Sequence, residues 1–472
     1  MSRAFFRHDL WPVQQQILRS VGTNAWTSVK ACHASGKTFT AADAVLWWIT
    51  HHRDGIAVTT APTWMQVEKL LWGEIRNTVA ACKHRLAFPQ PSRTELSIGP
   101  NRYAVGISTN DSVRFQGWHG TIPIVLDEAP GVLPDIYESI EGIRAGGKVR
   151  VLELGNPVIA SGHFYDSFTS KRKNRNLFTI SAFDTPNLQG LSLTYPGLDG
   201  EPVTVGSGRD LLSIPDDELD RNQRSYLTSR RWVKEKFEEW GVDSPLFQAR
   251  VLGNFPSQSE DALISLVWLE QARNRNVDEI PSGDIFYGID VAGPGEDETV
   301  LCRRVGNAIT KLKAFSSADP RGPVLAELRE DLAARRLKPG SVRVDSIGVG
   351  YHFGLHLKDN GVPVRMLNVA EQPSPLRDEH FVPYTDKYAN LKAQLYWGLR
   401  LRLQRGDLAG LTDDRTIAQL TSIRYAHNSR GRVQIESKED ARKRGVKSPD
   451  RAEAVMLCFT DIPAVEPNLR QL

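Results

Sequence analysis

The stretch WTSVKACHASGKTFTAADAVLWW, residues 26–48, decides the fold of the first half of this chain. Ala25 to Lys30 reads as a strand and Thr38 to Thr50 as an amphipathic helix, so residues 31–38, ACHASGKT, join strand to helix. That junction fits the phosphate-loop pattern Gly-x-x-x-x-Gly-Lys-Ser/Thr, with Ala31 where the first glycine usually falls. Backbone N–H groups from Ala31 to Gly36, those of His33 and Ser35 among them, would cradle phosphates beside the helix N-terminus. Lys37 is placed to reach the β- and γ-phosphates of a nucleotide, and Thr38 to bind Mg²⁺. Alanine lacks glycine's freedom at positive φ, so the loop must make its turn without residue 31.

Working outward, short β-rich runs alternate with helical ones, the pattern of an α/β layer fold. Gly55–Thr60 predicts a strand, Trp64–Val79 a helix, and Ile122–Leu126 and Lys148–Leu154 two more strands. IPIVLDEA, residues 122–129, is an apolar strand ending in two acids. Asp127 at such a strand end suits Mg²⁺, and Glu128 suits the activation of an attacking water. Upstream, LWPVQQQIL (residues 10–18) offers Trp11 and Gln14. The Gln14 amide either reads an adenine edge, where it can donate and accept at once, or caps a buried helix.

Residues 186–217 are punctuated by Pro, Gly and Asp, and a helical run is predicted from Asp216 to Trp240. A second α/β pattern opens at IFYGIDVA, from Ile285. This predicts domains at 1–187, 188–258 and 259–472, the middle one small and helical. In the last, Asp290 ends an apolar strand and Asp345 ends the strand in VRVDSIGVG (342–350). Asp450 starts a helix in KSPDRAEA (447–454), where the helix dipole favours a carboxylate. Each acid alone fits an ordinary turn or helix start. Three acids closing neighbouring elements suit hard divalent cations, and two such ions promote phosphodiester cleavage.

From Arg424 to Arg451 there are nine Lys/Arg against four Asp/Glu. Thr421–His427 and Arg432–Ser437 predict a hairpin with a polar turn. Arg430, Arg432, Lys438, Arg442, Lys443, Arg444 and Lys447 form either a solvated face or a sequence-blind surface for DNA phosphates. The net charge of +3 over 472 residues decides nothing about partners, but 40% hydrophobic and 24% charged residues fit a globular chain. No apolar stretch approaches the roughly 20 residues a bilayer demands, and no secretory signal precedes Leu10. The scattered cysteines Cys32, Cys82, Cys302 and Cys458 suggest a reducing compartment and no structural zinc.

The series WPVQQQIL, KACHASGKT, TTAPTWMQV, FQGWHG, VLDEA and ELGNP resembles the ATPase half of tailed-bacteriophage terminase large subunits. The order Asp290, Asp345, Ser-Pro-Asp450 resembles their RNase H-like nuclease, so the likeness runs from Leu10 to about Cys458. It implies an α/β fold: a RecA/ASCE-like P-loop NTPase domain, a helical lid or linker, and an RNase H-like nuclease domain. By resemblance Gln14 contacts adenine and Asn156 senses the γ-phosphate. Arg114 completes a neighbouring subunit's site, with Arg144 and Lys30 as rivals. Asp290, Asp345 and Asp450 hold the nuclease metals, Asp297 is a weaker ligand or a supporting acid, and Lys438 balances charge beside them. The implied cofactors are ATP with Mg²⁺, and two Mg²⁺ or Mn²⁺ ions at the nuclease. The implied partners are double-stranded viral DNA, the portal, a terminase small subunit and further copies in a ring of five, with a monomer when isolated. The implied location is the host cytoplasm and transiently the procapsid, not the mature virion. A repair or restriction helicase–nuclease would need a second ATPase-like domain where this chain has its acid cluster, and a scaffold would not need Lys37, Glu128 and three further acids.

Overall fold

A computed structural model describes residues 2, 6–82, 88–107, 118, 121–146, 148–196, 201–242, 244–256, 261–275, 277, 283–293, 298–316, 319–444 and 446–460. The chain divides into two compact units, Met1–Glu238 with Pro245–Ser257, and Glu239–Ser244 with Gln258–Leu472.

The first unit is built on seven strands: β1 (Trp26–Ala31), β2 (Ile56–Thr60), β3 (Glu95–Gly99), β4 (Arg102–Gly106), β5 (Ile122–Leu126), β6 (Val149–Gly155) and β7 (Asn176–Ile180). Their order is β3-β4-β2-β5-β6-β1-β7. Only the edge strand β3 runs antiparallel to its neighbour. The loop-bearing β1 and the acid-bearing β5 are therefore separated by β6, the RecA/ASCE arrangement of a P-loop NTPase. All three point their C-terminal ends the same way, where open parallel sheets bind ligands.

Helices α1 (Pro12–Thr23), α2 (Lys37–His51), α3 (Trp72–Ala81), α4 (Pro134–Gly146) and α5 (Gly162–Phe168) cover this sheet. Val45, Leu46 and Ile49 of α2 are fully buried, each contributing roughly 1.5–3 kcal/mol. Trp26, Ile124, Leu126, Ile136 and Ile140 join one apolar cluster with Phe164. The predicted helix Trp64–Val79 is split: Gln66–Leu71 forms a π-helix that leads into α3.

The middle segment differs from its predicted helical character. Strands β8 (Leu191–Pro196), β9 (Pro202–Gly206) and β10 (Arg209–Asp210) make a three-stranded sheet in the order β10-β8-β9. Helix α6 covers only Arg230–Trp240, and α7 follows at Pro245–Arg250. The predicted start at Asp216 fails because Asn222 and Tyr226 take left-handed backbone angles, φ +54° and +66°, which a helix cannot accommodate. The helix begins where the Ser229 hydroxyl accepts the N–H of Trp232.

In the second unit, after α8 (Leu266–Asn274), come β11 (Ile285–Asp290), β12 (Thr299–Val305), β13 (Ala308–Phe315), α9 (Arg321–Ala333), β14 (Val342–Asp345), α10 (Val349–Asp359) and β15 (Val364–Leu367). The sheet order is β13-β12-β11-β14-β15. The first three strands are antiparallel, and β11, β14 and β15 are parallel, as in an RNase H-like fold. Helices α11 (Tyr384–Lys387), α12 (Leu391–Gln404) and α13 (Asp414–Ser422), the hairpin β16 (Tyr425–His427) and β17 (Val433–Ile435), α14 (Lys438–Lys443) and α15 (Asp450–Cys458) complete the unit. Helix α12 starts six residues later than the Thr385 predicted from sequence because the Asn390 side chain caps it, accepting from the N–H of Ala393 at 2.9 Å.

Helix α15 lies directly on β11 at Gly288. A Cβ there would stand 2.2 Å from the Ala454 carbonyl oxygen and 2.3 Å from the Cys458 nitrogen. Glycine is what lets helix and strand approach this closely. Among the described residues no helix is long and apolar enough to cross a membrane.

Candidate functional sites

The phosphate loop turns without its first glycine. Ala31 is the buried last residue of β1, paired with Ile180 on β7. The left-handed angles fall instead at Ala34 (φ +50°) and Gly36 (φ +77°). The Lys37 ammonium donates to the Cys32 carbonyl at 3.3 Å and to Asn156 Oδ1 at 3.2 Å. Asn156, just past the end of β6, donates in turn to the Ala31 carbonyl at 2.6 Å. Thr38 donates to Asp127 Oδ2 at 3.1 Å. Lys37, Thr38, Asp127 and Asn156 are thus brought together by the ends of three adjacent strands. Ser35 turns inward, its hydroxyl donating to the Cys32 carbonyl at 3.2 Å. The backbone of His33 is spent on neighbours: its N–H donates to Arg250 O at 2.8 Å and its carbonyl accepts from the Thr228 hydroxyl at 2.5 Å.

Asp127 is 2% exposed. Burial, then the adjacent Glu128 charge, pushes its carboxyl up to about 7 against the opposing pull of Lys37 and Thr38. A buried acid in that position is one whose ionised form a divalent cation would favour. Glu128 itself sits at φ +51°, a left-handed angle that costs a non-glycine residue about 1 kcal/mol. Gln14 is buried and caps its own helix, accepting the Trp11 N–H at 3.2 Å, while its amide nitrogen reaches the Gly36 carbonyl at 3.3 Å.

Arg114 lies outside the described residues, as does Asp297. Both rivals of Arg114 are occupied. Arg144 pairs with Glu141 at 2.6 Å and lies 5.3 Å from the Trp26 ring centre. Lys30 donates to Gly253 O at 2.9 Å between the rings of Phe168 and Phe255, and burial lowers its ammonium to about 8.

The sequence reading missed Glu153. It is fully buried on β6 and accepts from Trp26 Nε1 at 2.8 Å, Ser28 Oγ at 2.5 Å and the Tyr137 hydroxyl at 3.2 Å, and burial raises its carboxyl. Its signal was a lone acid inside the apolar run VRVLELG. Glu153→Ala leaves three buried donors unsatisfied and is expected to cost about 2–4 kcal/mol of unfolding free energy. Glu153→Gln keeps an acceptor and should cost about 1 kcal/mol or less; denaturant titration of the two variants reads the difference.

In the second unit Asp290 ends β11 and Asp345 ends β14. These strands are parallel neighbours with Ile289 opposite Val344, so the next residues, Asp290 and Asp345, lie side by side. Helix α15 brings Asp450 to the same end. Asp450 accepts from the Glu298 N–H at 2.9 Å and from the Ser448 hydroxyl. The Glu298 carboxylate is clamped by Arg415 at 2.9 Å and Arg451 at 3.2 Å, which fixes the backbone facing Asp450. Burial, then Glu453 and further Asp450 and Asp345, drives the Asp290 carboxyl well above its usual range. Burial also raises Asp345.

Glu453, one turn on from Asp450, is a second residue the sequence reading passed over. It holds Lys392 at 2.6 Å and Lys438 at 3.1 Å. Burial pushes its carboxyl up, and the two lysines more than offset this, leaving it below its usual range. Its signal was the i, i+3 spacing from Asp450, which puts both acids on one helix face. The carboxylates are neighbours rather than a closed ligand set: among the described residues no three His, Cys, Asp or Glu side chains already form a group able to hold a metal. Asp450 and Asp345 meanwhile spend oxygens on nearby donors, Asp345 on the Ile347 N–H at 3.1 Å. The donor set is all carboxylate oxygen, the chemistry that fits a hard divalent cation.

The basic hairpin is present as β16 and β17, its turn closed by Asn428 Oδ1, which accepts from the N–H groups of Arg430 and Arg432 at 3.0 and 3.1 Å. Three of the seven predicted cations are engaged internally: Lys438 with Glu453, Lys443 with Asp440 at 2.7 Å, and Arg444 with both oxygens of Glu436 at 2.8 and 2.6 Å. Arg430, Arg432, Arg442 and Lys447 form no ion pair with a carboxylate among the described residues.

The fold and these two sites define a P-loop NTPase unit and an RNase H-like unit on one chain. Over 98% of its length the chain is 22% identical to the probable terminase large subunit of Enterobacteria phage P7, spanning 90% of that protein. Similar solved structures include the large terminase of a thermophilic bacteriophage, 12% identical over 96% of this chain and 98% of that one with a TM-score of 0.41. The nuclease domain of the large terminase subunit gp2 of bacterial virus Sf6 is 21% identical, covering 43% of this chain and 100% of that domain with a TM-score of 0.38. No protein-family model matches. The resemblance to terminase large subunits carried by the motifs is thus shared by a curated protein along nearly the whole chain.

Proposed function

We propose that this chain is the large subunit of a phage DNA-packaging terminase, hydrolysing ATP to move double-stranded DNA through a portal and cutting concatemeric DNA at the start and end of packaging. The observation that carries the reading is the pairing, on one chain, of Lys37 and Thr38 reaching Asn156 and Asp127 with a separate Asp290, Asp345 and Asp450 cluster.

In this reading Lys37 binds the β- and γ-phosphates, and Thr38 and Asp127 hold Mg²⁺. Glu128 takes the proton of the attacking water. Asn156 touches both Lys37 and the Ala31 carbonyl, so loss of the γ-phosphate changes what Lys37 contacts and is felt at β6. Arg114 of a neighbouring copy stabilises the charge that develops on the transferred phosphoryl group. At the second site Asp290, Asp345 and Asp450, with Asp297 in support, would hold Mg²⁺ or Mn²⁺, which when bound activates water and stabilises the leaving oxygen. Lys438 and Lys392, tethered by Glu453, face the incoming phosphodiester with positive charge. The partners are the portal, a small subunit and other copies in a ring, in the host cytoplasm and transiently on the procapsid.

The test is ATP turnover and plasmid cutting by the purified chain with Mg²⁺ and with Mn²⁺. Both activities are expected; a chain with neither would end the reading. DNA binding should depend on salt through the four uncommitted cations of the hairpin region. With about four phosphate contacts, affinity should fall roughly a hundredfold between 50 and 200 mM salt. Removing Arg430 and Arg442 together should flatten that dependence by about two contacts, whereas Arg444→Ala should leave it alone and loosen the hairpin instead. Binding that ignores salt would contradict this surface.

A further inference from the structure

The phosphate loop is roofed by a turn that the reading above does not use. Residues 224–228 are held by one side chain: Asn187 donates to the carbonyls of Arg224 at 3.0 Å, Leu227 at 3.4 Å and Thr228 at 3.1 Å, and accepts the Arg224 N–H at 2.7 Å. The turn is bolted to the loop as well. Thr228 donates its N–H to Ala34 O at 3.0 Å and its hydroxyl to His33 O at 2.5 Å. A Cβ placed on Gly36 would stand 3.7 Å from Leu227 Cδ2 and 2.6 Å from Gln14 Nε2, so turn, loop and Gln14 converge on one point. Arg224 reaches back to Asp9, just ahead of α1, at 3.3 Å to its carbonyl and 3.5 Å to its carboxylate.

From this rigid support one side chain stands out. Tyr226 is 97% exposed and its backbone sits at φ +66°. A bulky L-residue at positive φ is a genuine outlier, and a fully exposed aromatic ring gains nothing from the fold in return. Strain of this kind, held by surrounding hydrogen bonds, clusters at active sites and ligand clamps.

We propose that Tyr226 is the base-stacking residue of the nucleotide site, giving the adenine ring a π-face while Lys37 and Thr38 take the phosphates. The inference rests on the nucleotide reading of the loop and adds to it the group that selects for a base. The occupant is a planar heteroaromatic ring, the partner on which an exposed Tyr ring stacks, and the turn that carries Tyr226 is tied to the phosphate loop through Thr228 and to Asp9 through Arg224. In this proposal the base of a nucleotide whose phosphates lie at Lys37 and Thr38 rests against the Tyr226 ring. Base–aromatic stacking is lost on truncation to alanine and kept by another aromatic ring.

The experiment measures ATP hydrolysis by the full chain and its inhibition by inorganic tripolyphosphate, which has phosphates but no base. Tyr226→Ala should raise KM for ATP roughly tenfold while kcat stays within about twofold, and Tyr226→Phe should restore KM. Inhibition by tripolyphosphate should be the same in all three proteins. Tyr226→Gly supplies a readout that a structural role would not give: it should lose ATP affinity like the alanine variant yet melt no lower than the parent, because glycine relieves the positive φ. An unchanged KM in Tyr226→Ala, or tripolyphosphate weakened as much as ATP, would overturn the proposal alone. A parent chain that binds no ATP would overturn the nucleotide reading with it.

Discussion

Asp345→Ala is expected to lower metal-dependent plasmid cutting by at least about a thousandfold while ATP turnover stays within about twofold. The loss corresponds to about 4 kcal/mol of transition-state stabilisation, within reach of one ligand of a site whose catalysis is carried by bound cations. The structure separates this loss from misfolding. Asp345 is a half-buried acid held above its usual range, and it stands beside Asp290, which is raised further. Removing it relieves repulsion and gives up its backbone hydrogen bonds with Ile347 and Val369. The variant should therefore melt no lower than the parent. A variant that cuts normally, or one that loses cutting only because it unfolds, would remove Asp345 from the site.

Glu128→Gln is the complementary result. ATP hydrolysis should fall by about 10²–10⁴-fold, the usual contribution of a positioned general base, while nucleotide binding and plasmid cutting persist. Glutamine keeps the shape of the side chain and removes its basicity, and it leaves the left-handed backbone at this position unchanged. Losing the Glu128 charge also removes one of the influences that raise Asp127, so that acid should move back toward its ordinary range. Substantial turnover by Glu128→Gln would mean that another group takes the water's proton.

What could be read from the sequence was decided by strand ends. Ile122–Leu126 was predicted residue for residue as β5, because a fully buried strand between turn signals is apolar throughout. Asp290, Asp345 and Asp450 could be gathered because the first two end strands and the third starts a helix, and the parallel register of β11 and β14 then places the first two together.

Other features depended on partners far away in the chain. Glu153 looks like a stray acid until Trp26 and Tyr137 close over it. Lys30 looked free to serve another subunit, yet Phe168 and Phe255 enclose its ammonium. Lys443 and Arg444 counted as DNA contacts until Asp440 and Glu436 claimed them. The pairing of β8 and β9 did leave a trace in the alternating runs LSLTY and PVTV, but the helical character of the residues that follow overshadowed it. Tyr226 left none, since nothing in its neighbours' identities announces a positive φ.

The contact of α15 with Gly288 carries a consequence for how the protein comes into being. Strands β11 to β15 emerge from the ribosome long before Asp450 and Glu453, so a nascent chain owns two of the three acids and lacks the helix that seats the third. Helix α15 is added last, against the strand face that Gly288 leaves open. A chain still being synthesised has the strands of Asp290 and Asp345 before it has the helix that carries Asp450 and Glu453.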